Sequence, residues 1–297
     1  MDNTKEMILS QMSQEFRKLF AKIPFAGLEE IRFRVGRPIC LYYANALFFL
    51  SPSGLCQKEA DALFTSRDKL SDLVAGFCNH SIYAHQNEIK DGFITIQGGH
   101  RLGLSGKCVI KDDSICGMTG LSGINLRIAR EYKGCARDLS RHLLVKNRVK
   151  NTILLAPPGC GKTTYLRDLA RIFAQSFKVT VVDERSEIAG SSEGVPQFDI
   201  GLQTDVLDRF PKSAGMLLAL RSLSPHIIIT DELGDKEDLK AIRRVSDAGC
   251  ALVVSMHAEN LSELKKYKGE FIRYFDLAVC LDRQKGYPDV ASIEKLR

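Results

Sequence analysis

Hydrophobic and polar positions follow different patterns in the two halves of the chain. In the second half, short and almost continuously apolar runs that end in polar residues predict buried strands. These runs are Thr152–Ala156, Lys178–Glu184, His226–Asp231, Cys250–Ser255 and Phe275–Leu281. Apolar residues at helical spacing between the runs predict helices, which lie over Lys162–Ser176, over Met216–Leu223 and after Asp235. Strands that alternate with helices in this way form a parallel sheet covered on both faces.

The first half has a shorter and more glycine-rich pattern. Apolar residues at helical spacing predict a helix from Lys5 to about Leu28. Alternating apolar residues predict strands over Ile31–Val35 and Ile124–Ile128, with the first continuing over Ile39–Tyr43 after a turn, and a glycine-containing hairpin or short sheet over Phe93–Val109. Because the pattern changes near residue 145, we predict a small α+β domain over residues 1–147 and an α/β domain with a parallel-rich sheet over residues 148–297.

The composition is that of an ordinary globular protein. Of 297 residues, 44% are hydrophobic and 26% are charged, which excludes a disordered or collagen-like chain. Lys and Arg number 42 and Asp and Glu number 36, so the net charge is +6. Because the basic residues are scattered, this excess does not itself predict nucleic-acid binding. No apolar stretch approaches the roughly 18 residues of a membrane helix, and the N-terminus lacks the apolar core of a signal peptide.

The nine cysteines have irregular spacings and form no C-x-x-C motif. We expect free thiols and a cytoplasmic protein, since disulfides are rare in that reducing compartment. Cys78, His80 and His85 lie close together in the sequence but lack a second pair of ligands, so ordinary packing is favoured over a zinc site.

A candidate phosphate-binding loop, A-P-P-G-C-G-K-T-T, lies between a predicted buried strand and a predicted helix. Gly159 and Gly161 can adopt positive φ, so that backbone N–H groups and the helix N-terminus form an anion nest. Lys162 supplies a cation for the β- and γ-phosphates of ATP, and Thr163 supplies a hydroxyl for Mg²⁺. The motif differs from G-x-x-x-x-G-K-[ST] only at Ala156, which replaces the first glycine. The predicted nucleotide-binding residues are Pro158, Gly159, Cys160, Gly161, Lys162, Thr163 and Thr164.

Acidic residues follow two of the other predicted strands. Asp231 is predicted to hold Mg²⁺ through water, and Glu232 is predicted to activate the attacking water as general base. Glu184 and Glu187 follow another strand, where a second acid for water or metal and a surface acidic cluster are both open interpretations. His257 follows a further strand and is predicted to sense the γ-phosphate; a structural histidine is the alternative.

Longer motifs in both halves match one family pattern. In the second half these are D-E-R-S-E-I-A-G (Asp183–Gly190), T-D-V-L-D (Thr204–Asp208), L-R-S-L-S-P (Leu220–Pro225), D-E-L-G and M-H-A. In the first half they are E-I-R-F-R-V-G-R-P (Glu30–Pro38), D-G-F-I-T-I-Q-G-G-H-R-L-G-L-S-G (Asp91–Gly106) and I-N-L-R-I-A-R (Ile124–Arg130). Together with the phosphate loop, they resemble the stage III sporulation protein AA family, the ATPases of the sporulation channel in endospore-forming bacteria. That family is similar to type II and type IV secretion ATPases.

The resemblance implies a RecA-like P-loop ATPase domain after the N-terminal domain, and assembly as a hexameric ring. It places Val181–Glu187 where secretion ATPases have their acidic box, and His257 where they have their histidine box. Two positions depart from the patterns. Secretion ATPases usually carry Gly-Glu where this chain has Asp231 and Glu232, and sporulation relatives often carry Asp where this chain has His226.

The implied ring gives the arginines a candidate role. An arginine supplied across a subunit boundary can stabilise the transferred phosphoryl group. By resemblance, Arg127 and Arg130 are the first candidates and Arg101 and Arg221 weaker ones, with surface ion pairs as the alternative. The resemblance also implies that membrane proteins of a sporulation channel are partners, and that the protein is peripheral to the membrane in the mother-cell cytoplasm.

Three functional classes are compatible with a phosphate loop of this kind. The first is a ring ATPase that drives transport or channel assembly. The second is a nucleic-acid motor or remodeller, which the absence of an aromatic-basic stacking pattern makes the weaker interpretation. The third is a nucleotide-gated scaffold without turnover. A GTPase is disfavoured, because no N-K-x-D motif is present.

Overall fold

The computed structural model describes residues 3–79, 88–89, 92–111, 113–284 and 287–297. Contacts divide the chain into two units, residues 1–130 and residues 131–297. The division falls before the helix Arg137–Leu143 rather than at residue 147, because that helix belongs to the second unit. The Asp168 carboxylate of the second unit accepts hydrogen bonds from the backbone N–H groups of Gly134 and Ala136, at 3.0 and 2.9 Å.

The described residues of the first unit form a seven-stranded antiparallel sheet and several helices. The sheet has the order β4-β3-β2-β1-β7-β6-β5. Its strands are β1 (Leu28–Arg34), β2 (Cys40–Tyr43), β3 (Ala46–Ser51), β4 (Gly54–Cys56), β5 (Phe93–Ile96), β6 (His100–Lys111) and β7 (Ser114–Arg127). The helices are α1 (Asn3–Ser10), α2 (Gln14–Phe20) and α3 (Arg67–Phe77). Their apolar residues join those of β1 and β7 in one core, so the α+β prediction is confirmed.

The predicted helix from Lys5 to Leu28 is wrong in extent. The chain leaves helical geometry between α1 and α2, and Leu28 begins β1. Arg17 donates hydrogen bonds to the carbonyl oxygens of Leu9 and Ser10, at 3.0 and 3.1 Å. These bonds satisfy carbonyl groups at the end of α1, where a helix lacks internal donors.

The second unit has a seven-stranded sheet of order β12-β11-β13-β14-β10-β15-β16, and a two-stranded hairpin, β8 (Leu144–Val145) with β9 (Arg148–Val149). The strands of the large sheet are β10 (Thr152–Leu155), β11 (Val179–Asp183), β12 (Thr204–Asp208), β13 (Ile227–Thr230), β14 (Ala251–Met256), β15 (Leu277–Gln284) and β16 (Tyr287–Lys295). All neighbours in this sheet pair in parallel except β15 with β16. The predicted α/β class with a parallel-rich sheet is therefore confirmed.

Helices cover both faces of this sheet. They are α4 (Arg137–Leu143), α5 (Lys162–Phe173), α6 (Lys212–Ser222), α7 (Lys236–Asp247) and α8 (Leu261–Ile272). Alternate residues of β10 enter different cores: Leu154 packs with α4 and α5, whereas Ile153 and Leu155 pack with α6, α7 and α8. The continuous apolar runs seen in the sequence follow from this burial on both faces.

The parallel register brings four connections to one edge of the sheet. The segments that follow β10, β11, β13 and β14 all leave from the carboxyl ends of neighbouring strands. In open α/β sheets this edge is where ligands bind. No helix among the described residues is long and apolar enough to cross a membrane.

Candidate nucleotide site

The phosphate loop connects β10 to α5. Gly159 and Gly161 have φ values of 78° and 82°, the positive values that the sequence predicted. Gly161 is the N-cap of α5, and a Cβ atom there would lie 2.4 Å from Cβ of Pro288 on β16. This position therefore requires glycine for both its φ and its space. Pro158 and Gly159 are exposed at the loop tip, while Cys160, Thr163 and Thr164 are half-buried.

Lys162 is buried at the start of α5, with 6% of its surface exposed. Its ammonium donates to the carbonyl oxygens of Ala156 and Pro157, at 2.8 and 3.1 Å, and lies 3.0 Å from Nδ1 of His257. Burial lowers the pKa of Lys162, and nearby acids led by Glu232 oppose that shift. The loop thus holds a cation beside the N–H groups at the helix N-terminus, as an anion site requires.

His257 links this cation to Glu232. Its Nε2 atom lies 2.8 Å from Oε1 of Glu232. Because the Lys162 ammonium can only donate, Nδ1 of His257 accepts and Nε2 carries the hydrogen that is donated to Glu232. Glu232 has a φ of 46°, and Oγ of Ser255 accepts its backbone N–H at 3.1 Å. The sequence placed these groups on separate strands, and the structure brings them together.

Asp231 lies deeper than Glu232, with 2% of its surface exposed. Loss of solvent raises the pKa of Asp231 to about 7, and the charge of Asp183 adds to the shift. Its Oδ2 atom is buried and has no hydrogen-bond partner among the described residues. A buried carboxylate oxygen without a partner is costly unless a ligand or ion supplies one.

Asp183 shapes the loop that follows β11. It is fully buried, and its carboxylate accepts hydrogen bonds from the backbone N–H groups of Glu187 and Ala189, both at 2.8 Å. Burial raises the pKa of Asp183, and these backbone hydrogen bonds oppose the shift. The loop 184–190 is thereby fixed at the carboxyl edge, beside Asp231.

The two acids of this loop differ in their surroundings. Glu184 forms an ion pair with Lys212 of α6. The charge of Glu187 raises the pKa of Asp231, so Glu187 faces the same region of the site. Lys212 offsets the charge of Glu184, whereas the charge of Glu187 acts on Asp231.

Arg167 braces the same loop against α5. Its guanidinium donates to the carbonyl oxygens of Ile188 and Glu187, at 2.6 and 2.7 Å, and lies 3.8 Å from the ring centroid of Phe198. Burial lowers the pKa of Arg167 to about 10. A single side chain therefore ties the phosphate-loop helix to the segment that carries Glu187.

The four candidate arginines have different environments. Arg130 donates to the carbonyl oxygens of Phe25 and Leu28, at 2.9 and 2.8 Å, which favours a structural role in its own unit. Arg127 is 68% exposed, and its Nε atom lies 3.8 Å from Oε2 of Glu30. Of the two weaker candidates, the Arg101 guanidinium lies 4.4 Å from the ring centroid of Phe93, and Arg221 is exposed on α6.

The described residues contain no group of three or more His, Cys, Asp or Glu side chains that could hold a metal ion. Mg²⁺ at phosphate sites is usually held by one or two protein oxygens together with water and phosphate, so one free carboxylate oxygen and a hydroxyl fit it. Of the weak zinc candidate, Cys78 is buried, and burial raises the pKa of its thiol to about 11. His80 and His85 lie outside the described residues.

A hollow of about 1000 Å³ lies at the opposite, amino edge of the same sheet. Its lining includes Asn151 and His226, which precede β10 and β13, and Ala251, the first residue of β14. Since the phosphate loop and the acids follow the carboxyl ends of these strands, the hollow is separate from the candidate nucleotide site.

Sequence reasoning missed several residues that contact the site. Arg185 donates to Oε2 of Glu232 at 3.0 Å, and Lys212 and Arg167 hold the acidic loop. In the sequence, Arg185 lies between Glu184 and Glu187, and a basic residue among acidic ones indicates a local ion pair. Neither Lys212 nor Arg167 carries a comparable local signal.

Comparisons with known proteins agree with this architecture. The chain is 36% identical to stage III sporulation protein AA of Bacillus subtilis (strain 168) over 299 residues, which cover 96% of this chain and 94% of that protein. It is 32% identical over 149 residues to the uncharacterised protein ycf45 of Cyanidium caldarium, covering 48% and 43% of the two chains.

Solved structures share the fold at low sequence identity. The pilus retraction motor PilT with bound ADP matches with a TM-score of 0.60 and 14% identity, over 95% of this chain and 82% of that chain. The ATPase DotB of Legionella pneumophila matches with a TM-score of 0.58 and 14% identity, over 93% and 78%. The fold is therefore the RecA-like fold of secretion-type ATPases. The model of the family described as "Sporulation stage III, protein AA" matches residues 2–297, and the chain belongs to that family.

Proposed function

We propose that the chain binds ATP at the loop between β10 and α5 and hydrolyses it with Mg²⁺. The observation that carries this proposal is the buried Lys162, which follows two positive-φ glycines in the chain and whose ammonium contacts a histidine bonded to Glu232. A strand, a nest of N–H groups and a lysine at a helix N-terminus together bind phosphate chains in this class of loop.

Phosphate would bind to hydrogen-bond donors of the loop, namely its backbone N–H groups and Lys162, in place of neutral partners. The N–H groups of residues 159–164 lie in the loop and the first turn of α5, where the β- and γ-phosphates would bind; that of Cys160 would exchange its 3.4 Å contact with the carbonyl oxygen of Pro157 for a phosphate oxygen. Lys162 would exchange its neutral partners, the carbonyls of Ala156 and Pro157 and the His257 ring, for anionic oxygens. Charge-assisted hydrogen bonds are stronger than neutral ones, so the exchange favours the bound state.

Thr163 and Asp231 are the proposed metal residues. A bound Mg²⁺ ion would neutralise charge on the phosphates and favour the ionised form of Asp231. The partnerless Oδ2 atom of Asp231 supports this assignment, with a water molecule between carboxylate and ion as in related sites. The hydroxyl of Thr163 stands next to Lys162, where the motif places a metal ligand.

Hydrolysis would proceed with Glu232 as general base. The oxygen of water forms a bond to the γ-phosphorus, the bond to the β–γ bridging oxygen breaks, and the water proton passes to Glu232. ADP and phosphate are the products. The contact of Glu232 with His257 supports this choice over Glu184, which is paired with Lys212. Glu187 is the second candidate for orienting water.

We propose that the active form is a hexameric ring in which Arg127 reaches the neighbouring subunit's nucleotide. Its exposure and its long contact to Glu30 support Arg127 over Arg130. The ring would energise or assemble a sporulation channel complex, with membrane proteins of that complex as partners and the protein peripheral to the membrane on the cytoplasmic side. The sporulation family and the motor named among the structural neighbours support this assignment.

Steady-state ATP turnover, measured against protein concentration with mass determination in ATP and Mg²⁺, tests the proposal. We expect turnover per subunit to rise cooperatively as a hexamer forms. Turnover by the monomer that does not change with concentration would contradict the ring, and no turnover by the assembled protein would contradict hydrolysis. Salt-dependent stimulation by single-stranded nucleic acid would favour a nucleic-acid motor instead.

A further inference from the structure

Both carboxylate oxygens of Glu232 are engaged by side chains from neighbouring strands. Oε1 accepts from Nε2 of His257 at 2.8 Å, and Oε2 accepts from the Arg185 guanidinium at 3.0 Å. His257 follows β14 and Arg185 follows β11, so the two donors approach from the two strands that flank β13. The carboxylate is thereby held in one orientation between them.

The backbone of Glu232 is fixed independently of these contacts. Its φ is 46°, and Ser255 accepts its N–H group. The side chain, in contrast, has several freely rotating bonds and is 25% exposed. Its direction therefore depends on the two donors, and a single hydrogen bond to His257 would leave the plane of the carboxylate free to turn.

The position of Arg185 suits this role better than direct binding of nucleotide. Its side chain is 59% exposed and sits across Glu232 from His257, so it contacts the end of a chain that runs from Lys162 through His257 to Glu232. Lys162 is the member of that chain at the phosphate loop. A cation at the far end of the chain fixes the base without competing with Lys162 for phosphate.

We propose that Arg185 is a positioning residue that orients the Glu232 carboxylate for water activation. The role rests on the proposed ATP hydrolysis. Arg185 acts through Glu232, so its removal should lower the rate of the chemical step and leave nucleotide affinity nearly unchanged. Since the pair is partly exposed, the expected loss is about tenfold in kcat, at the low end for a hydrogen bond to a charged group.

A double-mutant cycle in the full chain tests the proposal. R185Q, R185K, E232Q and the R185Q/E232Q double variant are compared for kcat and KM at a fixed assembled concentration, with nucleotide affinity measured in parallel. R243Q is the matched control, because Arg243 is 72% exposed on α7 and its only described ion pair, to Asp247, is 3.9 Å long. Circular dichroism and native mass confirm that each variant is folded and assembled.

We expect R185Q to lose about tenfold in kcat with KM within about twofold, and R185K to recover part of the loss. E232Q should lose about a hundredfold, and adding R185Q to E232Q should cost nothing more. Additive losses, a raised KM with unchanged kcat, or full activity of R185Q would each overturn the positioning role while leaving the proposed function intact. No turnover by the wild type would overturn both together.

Discussion

The ammonium of Lys162 lies 3.0 Å from Nδ1 of His257, although 95 positions separate the two residues in the chain. The parallel pairing of β10 with β14 creates this contact, because the loop after one strand and the segment after the other leave the sheet side by side. The imidazole therefore connects the phosphate loop to Glu232. Occupation of the loop by phosphate would change the partners of His257 and, through it, those of Glu232.

The two glycines of the phosphate loop should respond differently to alanine. Both have positive φ, which costs a non-glycine residue about 1–2 kcal/mol. At Gly159 a new Cβ has no atom within 4 Å, whereas at Gly161 it would lie 2.4 Å from Pro288. We expect G159A to lower the free energy of unfolding by about 1 kcal/mol and G161A by about 3 kcal/mol. Urea unfolding of both variants checks this, and equal losses would contradict the close packing of Pro288 on the loop.

Asp231 should make stability depend on pH in metal-free buffer. Its pKa is raised to about 7 in the folded state, so its contribution to stability is fully present below the unfolded pKa near 4 and is lost as pH rises through about 7. The raised pKa corresponds to a loss of up to about 4 kcal/mol in the free energy of unfolding. Because the charges of Asp231 and Asp183 interact, part of this loss belongs to the pair of carboxylates. Urea unfolding in EDTA should show that D231N lacks this loss.

The control for that experiment is D247N, since Asp247 is 72% exposed on α7. Its pH dependence should match that of the wild type. If D231N and the wild type lost stability in parallel between about pH 4 and pH 8, the account of a buried, partnerless carboxylate would be wrong.

Substitution of Arg127 should affect activity in the assembled ring, whereas substitution of Arg130 should affect stability. R130A removes donors to two carbonyl oxygens of its own unit, so we expect its free energy of unfolding to fall by about 1–3 kcal/mol. R127A should leave stability and the nucleotide affinity of the monomer unchanged but reduce turnover in the assembled ring. Thermal unfolding and turnover against concentration distinguish the two, and an equal loss of R127A activity at monomer concentrations would exclude action across subunits.

Local patterns were sufficient to predict the buried strands and the phosphate loop of the second unit. Continuous apolar runs such as Thr152–Ala156 identified the buried strands, and Gly159, Gly161 and Lys162 identified the loop between a strand and a helix. The edge strands β12 and β16 were not predicted, because their described residues are half-buried or exposed and neither strand has a continuous apolar run. In the first unit, the Arg17 side chain donates to the carbonyl oxygen of Leu9 at the end of α1, a contact that periodicity does not show.

The chemistry of individual residues was predictable where it depended on a motif and not where it depended on the fold. Arg185, Glu232 and His257 meet because β11, β13 and β14 are neighbours in the sheet. This strand order cannot be read from a single sequence. The partnerless oxygen of Asp231 likewise follows from burial between neighbouring loops. The contact-based division at residue 130 likewise reflects a tertiary contact, because the Asp168 carboxylate binds the backbone of Gly134 and Ala136 within the second unit.

The most direct test of the account is the affinity of a non-hydrolysable ATP analogue with Mg²⁺ for the wild type and for K162A. The account predicts saturable one-site binding to the wild type and an affinity about ten- to a hundredfold weaker for K162A, from loss of a charge-assisted contact to phosphate. K240A, which removes an exposed lysine paired with Glu237, should bind as the wild type does. Equal affinity of K162A and the wild type would contradict the claim that triphosphate is held at the loop between β10 and α5.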